Sequence, residues 1–240
     1  MEYLERIFET LREISSREKG KIEEVSSRIA ESISRGGIVF AFGTGHSHMI
    51  VEEMFYRAGG LVPVYPVLVS SLMLHEGGKR SSKLERIEGI GKAIFESLDV
   101  RDGDIVAIFS NSGVNAVPVE FAIEAKKRGV FTWAITSFDH SKSVPPRNSY
   151  GKRLLEVVDV AIDNHVPHGD ASIEIGRFRV APLSTIAGAF VVNSIVIGVV
   201  RILRSRGMEA PVFQSANVEN GDEYNEKLIE IFSKRIPILR

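Results

Sequence analysis

The chain has no cysteine among its 240 residues and a single tryptophan. The first absence excludes disulfides, thiolate catalysis and cysteine-ligated zinc, and it fits a reducing compartment. Neither charge is in excess: 30 basic residues stand against 31 acidic ones, a formal net charge of −1. Nothing in that balance asks for nucleic acid as a partner, and a small ligand is expected instead. Nucleotide signatures are missing too. The stretch from Gly43 lacks the third glycine of Gly-x-Gly-x-x-Gly, and no Gly-x-x-x-x-Gly-Lys-Ser/Thr occurs, so neither a dinucleotide cofactor nor triphosphate hydrolysis is specified. No cofactor is expected. The N-terminal segment MEYLERIFETLREISSREKG is charged and amphipathic, unlike a secretory signal, and a cytoplasmic location is expected.

Long uncharged runs are few, with one exception. Val180 to Val200 carries no charge and lies between Arg179 and Arg201, long enough to span a bilayer. Pro182, Ser184, Thr185 and Asn193 lower its hydrophobicity, and the favoured reading is a helix buried in a core or an oligomer interface, with no membrane.

What is present is a regular alternation. Two amphipathic helices occupy residues 1–35, punctuated at Gly20, and the spacing of Leu4, Ile7, Phe8, Leu11 and Ile14 defines the first. Then come a strand at Ile38–Phe42, a helix near Ser47–Ala58, a strand at Leu61–Val69 and a helix near Ser82–Leu98. A strand at Ile105–Phe109, a helix near Ala116–Arg128 and a strand at Phe131–Thr136 continue the pattern. A polar excursion, Ser137–Lys152, reads as a surface loop, followed by a strand at Val157–Ile162 and the uncharged helix. An Asn- and Gly-rich tail and a helix from about Glu223 to Lys234 close the chain. Near-continuous apolar strands separated by helices predict a parallel sheet covered on both faces, within one domain over 1–240: N-terminal helices 1–35, α/β core 36–206, and tail and helix 207–240.

Two of these strands empty into short polar loops. The first is Gly43-Thr44-Gly45-His46-Ser47 and the second Ser110-Asn111-Ser112-Gly113-Val114-Asn115. At helix starts, backbone N–H groups lack intrahelical partners and the dipole is locally positive, so such loops can bind a phosphate without a dedicated cation. Hydroxyls add donors at little bulk, and glycine lets a ligand approach the backbone. Helix capping by the same residues is the alternative. Ser184 and Thr185 open the uncharged helix, and Thr136 and Ser137 end the fourth strand, as further rim candidates.

For proton transfer, Glu53 is the first candidate base, with His46, His48 and Glu76, the last beside His75 in a glycine-containing loop that resembles a lid. Surface carboxylates and caps remain open for each. His165, His168 and Asp170 lie within six residues, but Pro167 interrupts helical ligand spacing and no metal is assigned. Asn217, Asn220 and Asp222 in the tail either reach a neighbouring site or cap the last helix.

The two loops, with Pro182-Leu-Ser-Thr185 opening the late helix, resemble the SIS (sugar isomerase) family of phosphosugar-binding domains over roughly residues 20–205. The resemblance implies a three-layer α-β-α sandwich with a five-stranded, mainly parallel, flavodoxin-like sheet. It implies that Ser110, Asn111, Ser112, Gly113 and Asn115 hold a sugar phosphate, with Gly43, Thr44, Gly45, Ser47, Ser184 and Thr185 around it. Members of that family tend to place a glutamate ten residues after the first-loop serine, where this chain has Arg57, and some carry a late-helix histidine that is missing here. The expected function is therefore a phosphosugar-binding protein, an isomerase (or lyase or etherase) for a hexose or amino-sugar phosphate; the alternative is a non-catalytic sugar-phosphate sensor acting through a protein partner. The apolar late helix and amphipathic N-terminal pair point to a homodimer or homotetramer.

Overall fold

A computed structural model describes residues 1–240. Its centre is a parallel sheet of β1 (Val39–Gly43), β2 (Val64–Val67), β3 (Ile105–Phe109), β4 (Phe131–Thr136) and β5 (Val160–Asp163), in the order β2-β1-β3-β4-β5. Every residue of β1 and β3 is buried, which is why both read as unbroken apolar runs. Val39, Ala41, Ala107 and Phe109 face one core, while Phe40, Phe42, Val106 and Ile108 face the other.

The first core is covered by α1 (Glu2–Arg17), α2 (Lys19–Ser34), α3 (His48–Met54) and α8 (Ser184–Ser205), and the second by α5 (Ile90–Glu96), α6 (Ala116–Arg128) and α9 (Gly221–Phe232). Two shorter helices, α4 (Gly78–Leu84) and α7 (Phe138–Ser143), lie in the connections. The three-layer sandwich expected from the resemblance is the observed architecture.

Several boundaries differ from the sequence expectation. The break between α1 and α2 falls at Glu18, not Gly20; Glu18 is buried, accepts from Lys21 and from the Asp163 backbone N–H, and turns the chain by a tertiary contact. The single helix expected near Ser82–Leu98 is two, α4 and α5, separated at Gly89, whose left-handed backbone (φ +87°) no helix interior adopts. α3 ends at Met54, four residues early, as Phe55 turns extended. β2 is shorter than Leu61–Val69, because Leu61 pairs with Val212 of the tail instead. β5 begins at Val160, three residues later than expected.

The uncharged stretch is not one element. Its first residues belong to a hairpin, β6 (Ala171–Ile175) and β7 (Phe178–Pro182), joined at Gly176-Arg177. Ile173, Ile175, Phe178 and Val180 alternate about that turn and pair across it, the pattern of a hairpin. α8 is long and apolar enough to cross a membrane by length and composition; here Ala187, Val191, Val192, Ile195 and Val199 are buried against the first core.

α5 and α6 cross closely at Gly91. A Cβ there would lie 2.8 Å from Glu120 Cβ and 3.0 Å from Phe121 N, and would collide with the Val117 carbonyl. Glu120, itself buried, accepts from the N–H groups of Gly89 and Gly91 and so caps α5 from α6. Gly91→Ala is expected to lower stability by about 1–3 kcal/mol by forcing the helices apart, read as a lower denaturant midpoint.

Candidate functional site

In this strand order the chain leaves β1 and β3 in opposite directions: α3 covers one face on its way to β2, and α6 the other on its way to β4. The loops after these two strands therefore part, opening a crevice at the carboxyl edge of the sheet, the place where ligands bind in open α/β sheets. Both polar loops meet there.

On the α8 side of the crevice is a cleft lined by His46, Ser47, Ser110, Asn111, Asn164, Ser184 and Thr185, over a floor of Ile50, Phe109, Ile135 and Gly188. No carboxylate and no Lys or Arg lines it. The Ser110 hydroxyl accepts the Gly113 N–H at 3.2 Å, which leaves its own proton free to donate. Asn111 is fixed on both sides: its carbonyl accepts from Ser137 N and Thr136 Oγ1, and its Oδ1 accepts from Asn164 Nδ2 at 2.8 Å. Thr136 and Ser137 thus support the second loop from below, and Ser137 also caps α7.

Ser184, a rim candidate, lines the cleft with its proton already committed. Asp170 Oδ1 accepts from the N–H groups of Leu183 and Ser184, and Asp170 Oδ2 accepts the Ser184 hydroxyl at 2.5 Å. The start of α8 is already capped by an acid, leaving the Ser184 oxygen as an acceptor.

On the α6 side a different group spans the crevice. Glu85 accepts from Thr44 Oγ1 at 2.9 Å and from Asn115 Nδ2 at 2.7 Å, one donor from each loop, while its carbonyl accepts the Val117 N–H of the first turn of α6. Burial raises the Glu85 pKa against the opposing hydrogen bond from Thr44 and the charges of Arg86 and Arg147. Asn115 Oδ1 is buried without a partner. Ser112 and Gly113 lie along the second loop between Ser110 and Asn115, where the Gly113 carbonyl accepts from Leu154 N. Gly43 allows the first loop to fold back, since a Cβ would lie 2.6 Å from the Ser47 carbonyl, and Gly45 takes φ +56°.

The candidate acid–base residues separate. His46 is exposed at the cleft. His48 is buried, with Nδ1 on the Gly45 carbonyl and its Nε2 3.9 Å from Glu52. Glu53 pairs with Arg57 and accepts from Asn193 of α8 at 2.7 Å, outside the cleft lining. Glu76 is held by Ser70 and Arg80, whose hydrogen bonds lower its pKa, and His75 beside it stands edge-on to His48 with ring centroids 6.3 Å apart.

His165, His168 and Asp170 point to separate partners. His165 lies 3.3 Å from Glu18, His168 bonds Ser143, and Asp170 caps α8; no three His, Asp or Glu side chains converge for a metal. In the tail, Asn220 occupies the N-cap position of α9.

Sequence reasoning missed Asn164, Asp170's capping role and Glu85. Asn164 follows β5 directly, and extending that strand by one residue beyond Ile162 would have brought the strand end to its door. Glu85 gave no signal: it stands among charged residues just past the end of α4 at Leu84, and its place is set by the bonds from Thr44 and Asn115.

The SIS domain family matches residues 2–137. The chain is 43% identical over 240 residues to a UPF0309 protein of Geobacillus kaustophilus, covering 99% of this chain and 96% of that one. It is 41% identical over 239 residues to a UPF0309 protein of Caldanaerobacter subterraneus, with 98% and 97% covered. Among solved structures it resembles a phosphoheptose isomerase from Francisella tularensis, with a TM-score of 0.55 at 15% identity over 82% of this chain and 94% of that one. A sugar isomerase domain of an RpiR transcription factor from Sphaerobacter thermophilus gives 0.50 at 17% identity over 85% and 91%. These two likenesses are of fold, whereas the sequence matches reach further: the chain belongs to the SIS domain family, alongside the UPF0309 proteins.

Proposed function

We propose that the crevice binds a phosphorylated sugar and interconverts its aldose and ketose forms. The observation that carries this reading is the neutral cleft at the β1/β3 divergence, in which the Ser110 proton is freed by the Gly113 N–H and Ser47, Asn111 and Thr185 stand around the same space. A dianion gains from several neutral donors held in place, and the absence of a lining carboxylate avoids repulsion. The phosphate lies on Ser110, Asn111, Ser112 and Gly113 with Ser47 opposite; His46 reaches the sugar. The solved relatives by fold include proteins described as phosphoheptose isomerases, which supports the substrate class.

The test is thermal stabilisation of the purified protein by hexose, amino-sugar and heptose phosphates, each beside its unphosphorylated parent, since ligand bound to the folded state raises the melting midpoint by mass action. A shift confined to the phosphorylated compounds is expected. Ser110→Ala should weaken that binding by about 1–3 kcal/mol, the loss of a buried donor to a charged acceptor, read by titration calorimetry. No shift with any phosphate would return the serines to helix capping.

A second reading, a sensor that binds the same ligand without turnover, draws on Glu53: the carboxylate favoured from sequence is neutralised by Arg57 and tied to Asn193. Exchange of carbon-bound hydrogen with solvent separates the two, because a sensor exchanges none.

A further inference from the structure

Glu53, the first candidate base, is bound by Arg57 and Asn193, and a carboxyl not yet assigned a role bridges the two loops beside the cleft. We propose that Glu85, which bridges the two loops across the crevice, is the group that takes and returns the substrate proton. The proposal rests on the isomerase reading above.

Three features distinguish Glu85 from the other carboxylates nearby. It has no ion-pair partner, whereas Glu53 and Glu76 are each bound by an arginine. Its position is fixed from both loops, by Thr44 and by Asn115, so it sits where the two loops meet, beside the neutral cleft, and is held in register with whatever those loops hold. It also retains capacity: an ionised carboxylate offers about four acceptor positions, and these two hydrogen bonds use only half. Burial, which raises its proton affinity, moves it toward the range where a carboxylate works as a base near neutral pH. Arg86 of its own segment and Arg147, whose backbone N–H bonds the Val114 carbonyl, act against that shift without pairing with it.

The step balances without an oxidant or reductant. On the open-chain sugar phosphate, Glu85 accepts the proton from the carbon beside the carbonyl, and that C–H electron pair becomes the C=C bond of an enediol. The carbonyl oxygen takes a proton from the His46 ring. In the reverse sense at the neighbouring carbon, His46 recovers a proton from the other hydroxyl and Glu85 delivers its proton to carbon, leaving the isomer.

Glu85→Gln keeps the size of the side chain and a hydrogen-bonding group toward each loop. In deuterium oxide, the wild-type protein incubated with fructose 6-phosphate, glucose 6-phosphate or glucosamine 6-phosphate is expected to exchange the hydrogen next to the carbonyl, followed by NMR. Glu85→Gln should slow that exchange about 100-fold or more, with dissociation constants for the same compounds within about threefold of wild type. Glu85→Asp should recover part of the exchange, which a purely structural role would not require, and melting curves on both variants establish that they are folded. Exchange by Glu85→Gln near the wild-type rate overturns the proposal. So does phosphosugar binding at least tenfold tighter in Glu85→Gln, which would make the carboxylate an internal stand-in for the ligand's anion. Wild-type protein that binds these phosphates and exchanges nothing overturns the isomerase reading together with this role while leaving binding intact; absent binding overturns both at once.

Discussion

Asp104→Ala is expected to cost about 3–5 kcal/mol of folding stability, the range for removing one member of a buried, hydrogen-bonded ion pair. Asp104 is 2% exposed and accepts four hydrogen bonds: from Ile38 N at 2.9 Å, Arg101 N at 2.8 Å, and both terminal nitrogens of Arg235 at 2.9 Å. It stands just before β3, at the edge of the sheet opposite the crevice, and Arg235 comes from the segment after α9. The one side chain therefore closes the loop into β3, joins it to the start of β1 and fastens the end of the chain to the sheet. Alanine would leave two backbone donors without a partner and a largely buried guanidinium with only the Asp99 carbonyl to donate to, and each lost bond carries a desolvation cost. Arg235→Met should cost less, because Asp104 keeps its two backbone donors and the replacement fills the space of the arginine stem. Urea unfolding of both variants measures the difference. Losses below about 1 kcal/mol for Asp104→Ala would mean that solvent already screens the pair. In folded protein at low temperature, ligand-induced stabilisation should persist, since the substitution lies at the far edge of the sheet.

The contrast between the two ends of the sheet explains what the sequence revealed. β3, α6 and β4 have the bounds expected from sequence, because strands buried on both faces demand continuous apolar runs and Gly129 stops α6 in a left-handed cap. The two polar loops were equally legible, as their chemistry is local: small hydroxyl and amide residues directly after a strand. Glu85, Asn164 and Asp170 were not, since each acquires its place through a partner distant in sequence: Thr44 and Asn115, Asn111, and the start of α8. Glu53 is the reverse case, a residue whose two readings, base or paired surface carboxylate, were both legible. Its place on the helix after the first loop suggested a base or an i,i+4 pair, and it pairs with Arg57 four residues on, as helical spacing favours, while its bond from Asn193 on α8 needed the fold to be seen. The hairpin β6–β7 was hidden for a related reason, because its last three residues, Val180–Pro182, run without a charge into α8 and imitate one long span.

Gly113→Ala is expected to damage the fold and the site together. Gly113 takes φ +60°, and a Cβ would lie 2.8 Å from Thr136 Oγ1 and 3.2 Å from Leu154 Cβ. Those neighbours cannot retreat easily: Thr136 ends a central strand with its hydroxyl on the Asn111 carbonyl, and Leu154 is fully buried with its N–H on the Gly113 carbonyl. Backbone strain and overpacking together should cost about 2–4 kcal/mol. Relief of the clash must come from the loop itself, which would draw the Gly113 N–H away from Ser110 Oγ and let the Ser110 proton turn from the cleft. The phosphosugar-induced thermal shift should therefore fall by more than in Ser110→Ala, which removes one donor and leaves the loop backbone in place. Gly103→Ala separates the two causes. Gly103 also has positive φ, +88°, but a Cβ there meets nothing within 4 Å, so it should lose about 1–2 kcal/mol through backbone strain alone and keep the ligand response. Equal ligand responses in Gly113→Ala and Gly103→Ala would show that the second loop tolerates a side chain at its centre, and the binding geometry assigned to Ser110 would have to be abandoned.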